Sequence, residues 1–417
     1  MNTSSSRLDY LDATRAFALV LGVVFHASLS FLPTFMGWAV QDISTSPAVS
    51  VFLLISHSFR MELFFLLAGF FGCVTLRRKG VGAFVRSRAT RIVMPFVVGW
   101  FLLRPLVVSG WIMGSASLRG DFDFWAGILA GFQSLKTLPA GIFTGSHLWF
   151  LYYLALVTAL TLVARVVLAL TGSWQSAIAR RADAVVAWLA HSPFSLPLLC
   201  VPTAAALWFM RFWAMDTPDQ TLVPNLPVLV VYGGFLMLGW MIGRQPEVLT
   251  AFTRLVWYRW VFAGVGIVGV LMLGPIERDP GHVAYMAAHI GYALSYALMM
   301  GSLVGLTIGV FRKLFVRPQA WVRYVADSSY WMYLVHLPIV VWLQVAVAEV
   351  EVNWSVKLAG VSVVTIAIAL ISYDLFVRST IIGQVLNGRR QERVFGLRAL
   401  RIRSNAPRAR SASASVG

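Results

Sequence analysis

At 417 residues, 59% of them hydrophobic and only 12% charged, with a mean hydropathy of +0.76, the chain is far too apolar for a water-soluble domain. The net charge of +17 is spread over loops along the chain instead of gathering on one face, which argues against a nucleic-acid partner. The two cysteines, Cys73 and Cys200, both fall inside apolar runs, so neither a disulfide framework nor a thiolate metal site is expected.

Runs of about 18 to 25 mostly apolar residues, enough to cross roughly 30 Å of hydrocarbon, predict an all-α polytopic membrane protein of about ten transmembrane helices. They lie near 14–35, 53–76, 92–112, 147–170, 193–212, 226–243, 257–274, 283–311, 324–347 and 357–377. The first follows a short start without a small-residue cleavage site and is read as retained. Basic residues recur in every second loop: Arg77, Arg78, Lys79, Arg86, Arg88 and Arg91, then Arg180 and Arg181, then Arg244 and Arg254, then Arg312, Lys313 and Arg317. Of the intervening stretches, 36–52 and 213–225 carry none, 275–282 only Arg278, and 113–146 Arg119 and Lys136 beside Asp121 and Asp123. Retention of Lys and Arg inside therefore predicts that both termini are cytoplasmic. The division expected is a transmembrane domain over 1–378 and a basic, disordered tail over 379–417, drawn to anionic lipid.

Ionisable residues at membrane depth are costly and usually face a cavity, so each is a candidate. In the first span Arg15 and His26 are about three helical turns apart, on one face and roughly 16 Å apart along the axis. Taken alone, Arg15 equally well snorkels to lipid phosphate and His26 hydrogen-bonds a neighbouring helix. In the second span, HSFRMELFF carries His57, Arg60 and Glu62 near its outer end; His57 and Arg60 share a face and Glu62 points elsewhere. Ordinary interfacial charge explains them just as readily.

Further along, FVRSRATRIVMP sets Arg86, Arg88 and Arg91 before the third span, where guanidinium forks suit phosphate and positive-inside retention would place them too. Arg104 lies deep in that span and needs a partner. SHLWF brings His147 to the outer end of the fourth span, and VADSSYWMYLVHLP sets Asp327, Tyr330, Tyr333 and His336 along the ninth, with Pro338 able to free a carbonyl. His282 and His289 share a face, but no third ligand accompanies them and no metal site is expected.

In this order along the chain, these segments resemble the acyltransferase-3 membrane family. The likeness rests on the Arg and His of the first span, the acidic residue before FF and GF in the second, the Arg-x-x-Arg step before the third, and SYxxYLxHxP near the end. LDATRAFALVLGVVFH, RIVMPF and SHLWFL look most like the members that succinylate osmoregulated periplasmic glucans. Two departures, Ala68 where many relatives have Ser and Glu62 where many have Asp, touch the second segment alone.

The resemblance implies a bacterial inner-membrane O-acyltransferase. It would take succinyl-CoA or acetyl-CoA as co-substrate from the cytoplasm, hold no permanently bound cofactor, and acylate a periplasmic glycan beside membrane lipid and the glucan-synthesis machinery. On it, His26 with Arg15 and His336 would be catalytic, His26 as base or as acyl-carrying nucleophile. Arg86, Arg88 and Arg91 would bind acyl-CoA, while His57, Arg60, Glu62, His147, Tyr330 and Tyr333 would hold the acceptor or the acyl group. Arg60 and Arg104 are the natural forks for a succinyl carboxylate. The competing readings are an acetyltransferase of another envelope polysaccharide, and a glycan or lipid transporter, against which no inverted repeat is seen. A structural subunit without chemistry would leave the aligned Arg15 and His26 unexplained.

Overall fold

The computed structural model describes residues 8–117, 122–137 and 145–394. Arg7, Arg119, Asp121 and the tail from 395 onward lie outside the described residues. No strand occurs among those described, and fourteen helices follow one another. They are α1 (Asp9–Ser28), α2 (Pro47–Arg88), α3 (Met94–Ser117), α4 (Phe124–Gln133), α5 (Trp149–Leu170), α6 (Trp174–His191) and α7 (Ser195–Trp208). After them come α8 (Leu226–Arg244), α9 (Pro246–Phe252), α10 (Trp257–Leu273), α11 (Tyr285–Leu314), α12 (Ala320–Val347), α13 (Trp354–Ser372) and α14 (Ile381–Asn387).

Each of the ten expected stretches falls on a helix, but ten separate membrane-length helices are not what forms. Among the described residues, eight helical runs are long and apolar enough to cross a membrane, or nine if α6 and α7, bent by 113°, count as one. The longest, Pro47–Ser117, holds 71 residues and covers two expected stretches. As one straight helix it would extend ~106 Å, more than three times the hydrocarbon thickness. It is broken instead at Gly80, whose φ of 76° and ψ of 172° no helix accommodates. A π-helical turn over Ala89–Val93 then leads into α3. Outward faces carry large apolar side chains, as at Val163, Val166 and Val167 of α5 and Val363 of α13. The protein is a multi-pass membrane protein.

Without a strong hydrophobic drive between helices in lipid, close approach depends on small residues. The α2–α8 crossing shows this: a Cβ on Gly69 would run into the Leu236 carbonyl, and one on Gly239 into the Leu66 carbonyl. Beside this seam Tyr232 of α8 is sandwiched between Phe65 and Trp149, with ring centroids 4.5 and 5.6 Å away. On the other side α1 lies against α12 with both chains running the same way. Arg15 Nη2 donates to the Ala326 carbonyl at 2.9 Å, and Gln344 Nε2 donates to the His26 and Ala27 carbonyls at 3.0 and 2.9 Å.

One buried ion pair and one packed segment hold the connections. Asp42, in the loop between α1 and α2, accepts from Lys357 Nζ of α13 at 2.7 Å, with both side chains almost wholly buried. Within the segment expected to be a disordered tail from 379, α14 packs against α12 and the Ala89–Val93 turn. Residues up to 394 thus belong to the folded bundle.

Candidate functional site

Segments α1, α2, the Ala89–Val93 turn, α5 and α12 enclose a cavity of about 510 Å³. Its two ends differ in chemistry. Because α1 and α12 are parallel, Arg15 and Asp327 fall at one end, and His26 and His336 fall two to three turns further along at the other.

The first end is cationic. Arg15, Arg88, Arg91 and Arg389 line it with Asp12 and Asp327, four guanidiniums against two carboxylates. Arg15 is steadied by Asp12 at 3.4 Å and by the Ala326 carbonyl, and its Nε has no partner. Arg88 reaches this end because the break at Gly80 turns the chain back on itself. Its guanidinium then lies beside Gly72 and over the Phe84 ring at 4.8 Å. The Tyr330 hydroxyl donates to the Arg91 carbonyl and so ties α12 to the turn that carries Arg91.

Imidazoles dominate the second end. His26, His57, His147 and His336 all line the cavity there with Arg60. The ring centroids of His26 and His336 are 5.3 Å apart and those of His147 and His336 5.5 Å. His336 Nδ1 lies 2.7 Å from the Tyr333 carbonyl and must donate its proton there, which in the neutral ring leaves Nε2 as the acceptor nitrogen. His147 Nε2 likewise donates to the Leu334 carbonyl at 3.1 Å, and the Tyr333 hydroxyl donates to the His147 carbonyl at 2.8 Å. Both His26 Nδ1 and His147 Nδ1 are buried without a partner. His26 is half-buried, stacked beside Trp38 at 5.9 Å, and its carbonyl is held by Gln344.

Arg60 is buried, lies over the Phe25 ring at 4.2 Å and leaves Nη1 without a partner. His57 closes this end, its Nε2 3.0 Å from the Thr217 hydroxyl of the α7–α8 connection.

Of the residues singled out in sequence, His26, His57, Arg60, His147, Tyr333 and His336 thus meet at one end, and Arg15, Arg88, Arg91 and Tyr330 at the other. Three lie elsewhere. Arg86 is exposed, Glu62 is fully buried outside the cavity lining, and Arg104 packs over Trp100 with Nη1 3.3 Å from Ser134 Oγ. Glu62 points away from Arg60 because two residues on a helix are turned about 200° from each other.

Sequence reasoning passed over Asp12, Thr217, Gln344 and Arg389. Gln344, a lone amide in an apolar span, carried a readable signal; Thr217 and Arg389 carried none outside the fold. Among the described residues no group of three or more His, Cys, Asp or Glu is placed to hold a metal ion.

A family model described as an acyltransferase domain matches residues 8–374. The chain is 24% identical over 397 residues to glucans biosynthesis protein C of Escherichia coli O17:K52:H18 (strain UMN026 / ExPEC), covering 93% of this chain and 97% of that protein. To the protein of the same name from Escherichia coli (strain K12) it is 29% identical over 161 residues, 38% of this chain and 40% of that protein. No solved structure matches.

Proposed function

The chain belongs to the acyltransferase-3 family and is a membrane acyltransferase; from that premise we propose that it moves a succinyl group from cytoplasmic succinyl-CoA to a hydroxyl of a periplasmic glucan. The bacterial inner membrane is the setting this reading requires. One observation carries it: a single cavity joins an arginine-lined end to a histidine-lined end, and these are the two chemistries a transfer from a phosphorylated thioester needs. The name of the relatives supports the acceptor.

In this reading Arg15, Arg88 and Arg91 take the phosphates of coenzyme A, since guanidinium forks match phosphate oxygens and offset the cost of charge at the hydrocarbon edge. The acyl-pantetheine arm extends along the cavity toward His26. There His26 accepts the proton of the sugar hydroxyl as its oxygen attacks the thioester carbonyl. The carbon–sulfur bond breaks as the tetrahedral intermediate collapses, and the thiolate leaves with the proton returned from His26. His336, its tautomer set by the Tyr333 carbonyl, faces His26 and orients the acceptor hydroxyl. Arg60 suits the free carboxylate of a succinyl group, because its Nη1 has no protein partner.

The test is mass spectrometry of periplasmic glucans from cells with and without the gene, and with His26→Ala. Loss of a succinyl increment in both, with the variant still inserted in the membrane, is the expected result. Retention of the increment in the deletion strain overturns the reading. Loss of an acetyl increment instead would keep acyl transfer and replace the donor.

A further inference from the structure

The chain beyond the last long helix does not leave the bundle. After Tyr373–Val377 it turns into α14, and Leu386, Asn387 and Arg389 then line the arginine end of the cavity. The seat is specific. Asn387 Nδ2 donates to the Asp327 carbonyl at 2.9 Å and to the Tyr373 hydroxyl at 3.0 Å, and Gln391 Nε2 donates to Asp327 Oδ2 at 2.9 Å. Between them Gly388 adopts a left-handed φ of 78°, and a Cβ there would strike the Arg91 guanidinium. The reversal at Gly388 is therefore what lets this segment close against the Arg91 side of the mouth.

Arg389 stands apart from these anchors. Its one contact with Asp327 is 3.4 Å long, and its side chain is 54% exposed against 10% for Asp327. A pair of that geometry adds little stability, and Asn387 and Gln391 hold the segment without it. By contrast, Arg390 turns the other way, toward Gln384 Oε1 at 3.1 Å.

We propose that the segment 386–391 is part of the donor site and that Arg389 is a direct ligand to a phosphate of the coenzyme, parked on Asp327 until the donor enters. The proposal rests on the coenzyme A reading above and extends it to a residue outside the family's matched region, which ends at 374. An incoming phosphate offers a guanidinium two charged acceptors where Asp327 offers one long contact, so the exchange favours the donor. Asp327, repelled by the same phosphate, acts against binding when Arg389 is absent.

The experiment is equilibrium binding of unacylated coenzyme A and of pantetheine, which lacks phosphates, to the full chain in lipid nanodiscs. Arg389→Gln should weaken coenzyme A binding about 10- to 100-fold, as loss of a charged hydrogen bond does. Pantetheine binding should be unchanged, Arg389→Lys should recover part of the loss, and KM for the acyl donor should rise with kcat kept. Equal coenzyme A affinity in wild type and Arg389→Gln overturns the proposal and leaves the donor reading intact. Parallel weakening of both probes also overturns it, because Arg389 would then only be seating the segment. Failure of the wild type to bind coenzyme A while it still acylates the acceptor overturns the donor reading and this proposal with it.

Discussion

His26 and His336 face each other across the cavity with ring centroids 5.3 Å apart, one in the last turn of α1 and the other in the middle of α12. The His336 proton on Nδ1 is committed to the Tyr333 carbonyl, so its other nitrogen is turned to acceptor duty. Removing either imidazole should act on the chemical step. His26→Ala is expected to lower kcat about 10²- to 10⁴-fold, the usual share of a general base. KM for the donor should stay near the wild-type value, as steady-state assays in proteoliposomes would show. A rise in KM alone would move His26 from chemistry to binding.

Gln344, outside the cavity lining, holds the end of α1 that carries His26 through its two donations to the α1 carbonyls and one bond accepted from Trp38 Nε1 at 2.9 Å. Gln344→Leu removes both donations, leaving the His26 carbonyl with the Leu29 N–H alone, a loss of about 1 kcal/mol per hydrogen bond. We expect a lower kcat with an unchanged donor KM, and Gln344→Glu should fail to rescue because it lacks the amide donor. An unaffected kcat in Gln344→Leu would show that the α1 end is held by packing alone.

For Arg60, the relevant contrast is between acyl transfer and coenzyme A binding. Arg60→Lys keeps the charge but loses the planar stack on Phe25 and the fork. Succinyl transfer should fall about 10- to 100-fold, while coenzyme A binding, proposed for the other end of the cavity, should change little. Glu62→Gln, outside the cavity lining, should likewise spare coenzyme A binding. If either substitution weakens coenzyme A as much as it slows transfer, the division of labour between the two ends is wrong.

Lys357 and Asp42 form the most deeply buried ion pair described, at 3% and 1% side-chain exposure. Lys357→Met strands the Asp42 carboxylate, which typically costs about 3 to 5 kcal/mol. The double change Lys357→Met with Asp42→Asn should recover most of that loss. Thermal unfolding in detergent measures both, and equal destabilisation of single and double variants would contradict it.

At the α2–α8 crossing, Gly239→Ala places a methyl group on the Leu66 carbonyl and forces the helices apart. Overpacking of this kind costs about 1 to 3 kcal/mol or more. Gly234→Ala on the same helix, with open space around it, is the control and should be silent in the same melt.

Much of this protein was legible residue by residue. Hydropathy marks every helical run long and apolar enough to cross a membrane, because transfer into lipid is decided locally, by the side chains of each stretch. The three-turn spacing put Arg15 and His26 on one face of the first helix, since helical rise is the same in any context, and both line the cavity. The opposite directions of Glu62 and Arg60 followed from the same geometry. Counting spans went less well at 193–212, where only the 14-residue α7 forms, bent by 113° from α6, because a hydropathy average does not register where a helix stops and turns.

What the chain could not declare by itself is which of its ionisable groups share a space. His26, His147 and His336 stand on three helices far apart in sequence, and Arg389 comes from a stretch whose composition reads as disorder. Their meeting depends on the α1–α12 alignment, on glycines that let α2 and α8 touch, and on the reversal at Gly388. Composition and periodicity therefore determined a helical membrane protein with candidate charges on known faces. Only tertiary packing decided that those charges form one cavity with an arginine end and an imidazole end, because contacts between helices are properties of surfaces in pairs and no single segment encodes its partner.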